Sequence, residues 1–195
     1  MPFTLLLDGG STLTRRDYQR EMTDQMNLRS MVELGYAATT IGMSDLYMGK
    51  DYMMERFAES GLTVVSANVR DESTGELLVE PYVVIERAGV RFGVTGVLDH
   101  MSNIRTDRKL SSPGVTVSNA KDALNELMPE LESKCDQIVV LAHMSMKLAR
   151  NLMEDAPGAD FVVVGLQAQK SENPYELAGA RFIQPGNRGP VSYTH

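Results

Sequence analysis

Short apolar segments alternate with helical segments along nearly the whole chain, and this alternation constrains the fold more than any other feature. The segments predicted to be strands are residues 3–7, 37–41, 62–66, 138–142, 161–164 and 181–184. Helices are predicted over residues 16–34, 51–59, 119–131 and 145–153. Strand–helix–strand units favour parallel pairing. We therefore expect a layered α/β fold with functional loops at the carboxyl ends of its strands.

Turn and cap signals predict several element boundaries. Ala88 and Gly89 separate two apolar segments, residues 82–86 and 90–95, and predict a β-hairpin within the parallel pattern. Gly35 and Gly61 predict the ends of the first two helices, and Ser118 predicts the N-cap of helix 119–131. The apolar residues at helical spacing in the first helix are Met22, Met26, Met31 and Leu34.

Composition sets limits on function. The chain has 195 residues, 43% of them hydrophobic and 23% charged, which suits one domain with a real core. Its formal net charge of −7 argues against nonspecific binding to nucleic acid or anionic membranes. No apolar segment is long enough to span a bilayer, and the single Cys135 excludes an internal disulfide. The 13 methionines are interpreted as flexible core residues rather than a copper site.

Several polar residues lie near predicted strand ends: Asp8, Asp45, Asp99 and Asp160. Asp8 and Asp45 would either share one crevice, for acid–base work or a hard cation, or cap turns separately. The preference of aspartate for caps and turns favours the second interpretation.

Three further residues have two interpretations each. His143 is either a metal ligand or a residue satisfied at a strand end, and a lone histidine favours the second. His100 is interpreted as a surface loop residue. Arg188 lies between glycines, where it would contact a phosphate or, as we prefer, occupy an exposed turn.

The strand-end segments resemble those of calcineurin-like metallophosphatases, specifically the 5'-nucleotidase branch. Residues 5–11, LLLDGGS, resemble the family's "LLLDAGD", and residues 34–45, LGYAATTIGMSD, resemble "LGYDAMTIGNHE". Further similar segments are SANV at 66–69, TGE at 74–76 with PY at 81–82, VLAHM at 140–144, ADFVVVG at 159–165 and QPGNRG at 184–189. The resemblance implies an αββα sandwich with a mixed sheet.

The resemblance also implies a two-metal site for phosphoester hydrolysis, and most of its ligand positions are replaced here. The family's bridging aspartate falls on Ser11, its ligand asparagine on Met43, its acid histidine on Ser44, and two further histidines on Leu166 and Ala168. His143 alone remains at a ligand position. The family's Asp-x-His pair lies on a strand before residue 1, so the domain is expected to be incomplete at its N-terminus.

The replaced ligands predict a catalytically degenerate domain with no metal cofactor, serving in binding or as a scaffold. The alternatives are an active phosphoester hydrolase with a rebuilt site and a purely structural domain. A nucleotide or phosphoester is the ligand that the resemblance implies, and its members are usually periplasmic or extracellular. Full-length relatives also imply a further domain.

The chain ends carry a separate expectation. We expect residues 1–189 to form the partial domain and residues 190–195 to be a non-native tail. The last five residues, VSYTH, equal one translation frame of a transposon-end sequencing adapter.

Overall fold

The computed structural model describes residues 4–14, 19–99, 114–166 and 175–184. The strands are β1 (Leu6–Asp8), β2 (Tyr36–Thr40), β3 (Val64–Val65), β4 (Val69–Asp71), β5 (Tyr82–Arg87), β6 (Val90–Leu98), β7 (Val115–Val117), β8 (Gln137–His143), β9 (Phe161–Val164), β10 (Tyr175–Leu177) and β11 (Ala180–Ile183). The helices are α1 (Arg20–Leu34), α2 (Lys50–Ser60), α3 (Ala120–Lys134) and α4 (Met146–Asp155), and a 3₁₀ turn spans Asp45–Met48.

The first sheet contains β1, β2 and β3 in that order, and all three strands are parallel. Helices α1 and α2 make the connections between them. As predicted, the two helices end at Gly35 (φ 81°) and Gly61 (φ 70°), in the left-handed conformation that glycine adopts without steric cost. Leu28 of α1 and Phe57 of α2 are buried in one apolar cluster on the outer face of this sheet.

The second sheet is mixed, with the order β10-β11-β9-β8-β6-β5. Its four inner strands are parallel to one another, while the outer strands β10 and β5 pair antiparallel. The predicted hairpin forms the β5–β6 edge. Helices α3 and α4 cover the outer face, where Leu124, Leu131 and Met153 are buried among residues of β8 and β9.

The two sheets face each other across a third apolar cluster. Ala38 and Val65 of the first sheet pack there with Val94, Val139 and Leu141 of the second. The layers therefore run helix, sheet, sheet, helix, which confirms the predicted αββα sandwich with a mixed sheet. Within the described residues, no helix is both long and apolar enough to cross a membrane.

The buried side chain of Asn68 is one of the contacts that tie a two-stranded antiparallel pair, β4 with β7, to the sandwich. The Asn68 amide group donates to the carbonyls of Leu98 (2.7 Å) and Ser118 (2.9 Å), and its Oδ1 accepts from the Leu98 amide (2.9 Å). Asn68 thus connects the end of β6 to the segment that follows β7. The sequence did not predict β4, β7 or β10, which are three residues each.

Two local predictions need correction. Asn119, not Ser118, is the N-cap of α3, because its side chain accepts from the Lys121 amide at 2.9 Å. Ser118 instead donates its backbone N–H to the carbonyl of Asn68. The predicted strand 62–66 is regular only at Val64–Val65.

The predicted apolar face of α1 is mostly not the face that is buried. Met22, Met26 and Leu34 are each more than half exposed, whereas Leu28 and Asp24 are buried. The Asp24 carboxylate turns inward because it accepts hydrogen bonds from a backbone amide and a tyrosine hydroxyl.

Candidate functional site

The carboxyl ends of strands from both sheets meet at one cleft. Ser11 follows β1, and the loop that contains Gly42 follows β2. His143 ends β8, and Gly165 follows β9. The Ser11 hydroxyl lies 3.2 Å from Nε2 of His143, although the two residues are 132 positions apart in the chain. The cleft therefore lies where the sequence predicted the functional loops.

The loop after β1 is fixed by the carboxylate of Asp45. Its Oδ2 accepts from the amides of Ser11 (2.9 Å) and Gly42 (2.7 Å), and its Oδ1 accepts from the Leu13 amide (2.8 Å) and the Thr12 hydroxyl (3.3 Å). Burial raises the pKa of Asp45 to about 6, and the three backbone donors act in the opposite direction. Asp45 therefore joins two strand-end loops and has few lone pairs left for a ligand.

Asp8 also stabilises the local backbone. Its Oδ1 accepts from the Gly10 amide and the Thr39 hydroxyl, both at 2.8 Å. Asp8 thus behaves as the turn-capping aspartate that the sequence favoured, through its bond with the Gly10 amide. Asp45 does not cap a turn in this way, because three of its four donors belong to the distant loop after β1, and the nearby charge of Asp8 contributes to raising its pKa. Asp160 accepts from the Ile138 amide at 2.7 Å and lies at the amino end of β9, away from the cleft.

The His143 ring is buried and held at both nitrogens. Nδ1 lies 2.7 Å from the Gly9 carbonyl oxygen, and Nε2 faces the Ser11 hydroxyl. A carbonyl only accepts, so the proton of the neutral ring sits on Nδ1 and Nε2 is the acceptor. Burial lowers the pKa of His143, so the ring is neutral near pH 7.

Ser11 is exposed and has a left-handed backbone, with φ 67°. Its Oγ accepts from the Ser44 amide at 3.2 Å, and the Ser44 hydroxyl donates to the Leu13 carbonyl at 2.8 Å. The loops after β1 and β2 are therefore bonded to each other at Ser11 and again at Leu13.

Close backbone approach at the cleft requires glycine at two positions. A Cβ on Gly42 would lie 2.3 Å from the Ser11 nitrogen and 2.8 Å from Cε1 of His143. A Cβ on Gly165 would lie 2.2 Å from the Gly9 carbonyl oxygen. Such distances are far inside van der Waals contact. A larger residue at Gly42 would press against both Ser11 and His143, and one at Gly165 would press against Gly9, whose carbonyl holds His143 Nδ1.

The other predicted site residues differ in position. Met43 follows Gly42 and is partly buried against the α1–α2 cluster. Leu166 follows Gly165 and is 39% exposed. Ala168 and Arg188, together with His100, lie outside the described residues. The sequence identified Ser11, Ser44 and His143 separately. It did not predict their mutual contacts, which depend on register between two sheets.

The side chains at this cleft do not fit a two-metal centre. Such a centre needs carboxylates and imidazoles with free lone pairs. Here both His143 nitrogens are engaged, and each oxygen of Asp45 already accepts hydrogen bonds. Among the residues that the structure describes, no three His, Cys, Asp or Glu side chains converge as they would around a metal ion.

Curated relatives of the chain are nucleotide hydrolases. It is 24% identical over 146 residues to the 5'-nucleotidase of Vibrio cholerae, a match that covers 72% of this chain and 26% of the relative. It is 26% identical over 156 residues to the 2',3'-cyclic-nucleotide 2'-phosphodiesterase/3'-nucleotidase of Salmonella typhimurium. That match covers 70% of this chain and 24% of the relative. The chain thus spans about a quarter of the length of these relatives. No protein-family model matches it.

Several solved structures share the fold of this chain. The sulfate thiohydrolase SoxB of Thermus thermophilus has a TM-score of 0.79 at 18% identity, covering 92% of this chain and 33% of SoxB. The calcineurin-like phosphoesterase YfkN of Bacillus subtilis has a TM-score of 0.77 at 21% identity, covering 94% and 67%. The 5'-nucleotidase precursor of Thermus thermophilus has a TM-score of 0.73 at 22% identity, covering 93% and 39%. In sequence this chain is therefore similar to bacterial 5'-nucleotidases, and in fold it is similar to calcineurin-like phosphoesterases and 5'-nucleotidases.

Proposed function

We propose that the chain is a 5'-nucleotidase-type metallophosphatase domain that has lost its two-metal chemistry and serves as a binding or scaffold domain. The Ser11–His143 contact carries this proposal. A serine hydroxyl, in place of a bridging carboxylate, occupies the Nε2 lone pair of the one family ligand that remains. A metal ion would have to displace Ser11 before it could bind there.

The same proposal assigns the replaced ligand positions to Ser11, Met43, Ser44, Leu166 and Ala168. Each replacement removes a negative charge or a basic lone pair. Two dications brought close together without a bridging anion repel each other strongly in a low-dielectric cleft. A set of hydroxyl, thioether and alkyl groups cannot offset that repulsion, and Ser44 has no titratable group to protonate a leaving oxygen near neutral pH.

A nucleotide or related phosphoester is the ligand that we propose for the binding role. The names of the curated relatives support this class, and the curated relatives are about four times longer than the part that matches, which supports a further domain. The net charge of −7 opposes an anionic ligand at long range. We therefore expect AMP to bind weakly, and more weakly at low salt than at physiological salt.

Metal titration tests the loss of the two-metal site. The chain and a variant carrying Ser11→Asp, Met43→Asn, Ser44→His, Leu166→His and Ala168→His are dialysed against Mn²⁺ or Zn²⁺, and bound metal is measured by mass spectrometry. We expect well below one metal per chain for the native sequence, and at least tenfold tighter binding by the variant. Near-stoichiometric metal on the native chain would instead indicate an active phosphoester hydrolase with a rebuilt site.

A further inference from the structure

Ser11 and His143 are arranged as a nucleophile and its base, a role that the lost metal chemistry does not use. We propose that Ser11 is a catalytic serine, activated by His143, for metal-independent hydrolysis of uncharged carboxylic esters. This activity requires no metal, so it can hold or fail separately from the proposed loss of the two-metal site.

The hydrogen bonds fix where each proton lies. Nδ1 of His143 donates to the Gly9 carbonyl at 2.7 Å, so Nε2 accepts the Ser11 hydroxyl proton at 3.2 Å. The Ser44 amide occupies one lone pair of the Ser11 oxygen. Ser11 is exposed while His143 is 1% exposed, so the serine lies on the solvent side of the pair and the base lies behind it. A serine hydrogen-bonded to a base, with the base held by a third group, is the arrangement that nucleophilic catalysis needs.

The surrounding backbone holds Ser11 in this position. Its amide is bonded to the buried Asp45 carboxylate, and the Gly42 backbone packs directly against it. The left-handed φ of 67° is unfavourable for a residue other than glycine. Such conformations persist where neighbouring contacts over-determine them, as they do here, and they concentrate at functional sites.

The residues near Ser11 favour an uncharged, apolar substrate. Met43 and Leu166 directly follow Gly42 and Gly165, whose backbones lie against Ser11 and His143. Both are apolar, and Leu166 is 39% exposed. The chain as a whole is anionic. This field opposes an anionic phosphoester at long range but not an uncharged ester, and the acyl chain of an ester would contact the exposed part of Leu166.

The reaction is balanced with water as the only co-reactant. The Ser11 oxygen forms a bond to the ester carbonyl carbon as its proton passes to Nε2 of His143. The carbon–alkoxide bond then breaks, and the alkoxide leaves as an alcohol with that proton. Water attacks the acyl-serine and gives a proton to Nε2. The carboxylic acid leaves, and the proton returns to Ser11.

Covalent labelling tests the assignment. The purified chain is treated with a fluorophosphonate probe in EDTA, the adduct is located by peptide mass spectrometry, and p-nitrophenyl butyrate hydrolysis is measured in parallel. We expect the adduct on Ser11 and EDTA-resistant hydrolysis. Ser11→Ala should abolish both, and His143→Gln should slow both by about 10²-fold or more.

Ser133→Ala is the matched control, because Ser133 is an exposed helical serine outside the cleft. It should label and hydrolyse at the native rate. Labelling of His143→Gln at the native rate, or hydrolysis that EDTA abolishes, would overturn the proposal. If His143→Gln does not fold, as judged by circular dichroism, the native chain decides: Ser11 labelled no faster than Ser133 contradicts the assignment.

Discussion

At the scale of single residues, Asp45 does most to determine the geometry of the cleft. Its two oxygens hold the loop after β1 against the loop after β2, and three of its four donors are backbone amides. Asp45 is 1% exposed, so an amide that loses this partner is not easily reached by water. Unpaired buried donors are costly, which makes this carboxylate a structural requirement for placing Ser11.

Asp45→Ala is predicted to destabilise the chain by about 2–4 kcal/mol, because several buried or partly buried N–H groups lose their acceptor together. Urea unfolding monitored by circular dichroism measures the change. Glu126→Ala, on the exposed face of α3, is the control and should stay within about 0.5 kcal/mol of the native chain. If Asp45→Ala also changed the free energy of unfolding by no more than the control does, the loops after β1 and β2 would not depend on the Asp45 carboxylate.

The sequence identified most site residues but not their relations. Segment similarity marked Ser11, Ser44 and His143, whereas the capping preference of aspartate did not anticipate that Asp45 would bond the distant loop after β1. The Ser11–His143 contact joins residues that lie on different sheets, and local patterns cannot predict the offset between two sheets. The buried Asp24 was missed for the same reason, because its partners lie outside its own helix.

At the scale of elements, the Asn68 side chain connects the end of β6 to the segment after β7, two segments that are not paired in a sheet. Its side chain bonds the end of β6 and the residue after β7 at once. Asn68→Ala is predicted to cost about 2–4 kcal/mol, since it leaves buried backbone groups unpaired. Asn27→Ala on the exposed surface of α1 is the control and should be neutral or slightly stabilising. Thermal melting of both variants measures the difference, and similar melting temperatures for the two would refute this role.

The contact between α2 and β4 should give the fold part of its acid sensitivity. Lys50 Nζ lies 2.8 Å from Oδ2 of Asp71, and Lys50 and then Ser73 hold the pKa of Asp71 well below its usual value. A depressed pKa stabilises the fold above the unfolded value of 3.8, and this contribution is lost as pH falls below it.

The test compares melting temperatures of the native chain and Asp71→Asn from pH 2 to pH 7. The native chain should melt at the higher temperature at pH 7, and the difference should shrink as pH falls below about 4. A difference that stays constant over this range would show that the Asp71 charge does not contribute.

Segments that are continuous in apolar residues were predictable as strands, and segments without that continuity were not. The predicted segments 37–41, 138–142 and 161–164 correspond to β2, β8 and β9, because buried parallel strands are nearly continuous in apolar residues. The strands β4, β7 and β10 have three residues each and no such signal. Their pairing depends on tertiary contacts such as those of Asn68. The exposed methionines of α1 show that helical spacing alone does not identify the buried face.

At the scale of the whole molecule, the cleft depends on the stacking of two sheets. The loops after β1 and β2 come from the first sheet, and His143 and Gly165 come from the second. The apolar cluster between the sheets fixes their separation. The close backbone contacts of Gly42 and Gly165 mean that the two sheets cannot shift much at the cleft without a clash. The fold is similar to that of the solved calcineurin-like phosphoesterase and 5'-nucleotidase structures, and we propose that the positions of their metal ligands carry side chains of different chemistry in this chain.

The most direct measurement is phosphate release by the purified chain from AMP and p-nitrophenyl phosphate, with Mn²⁺, Zn²⁺ or Ca²⁺ added and with EDTA as the reference. Loss of the acid histidine alone would cost ~10²–10⁴ in rate, and loss of the metals removes water activation as well. The account predicts no metal-dependent release above the EDTA reference for either substrate. Robust turnover that depends on added metal and disappears in EDTA would contradict it.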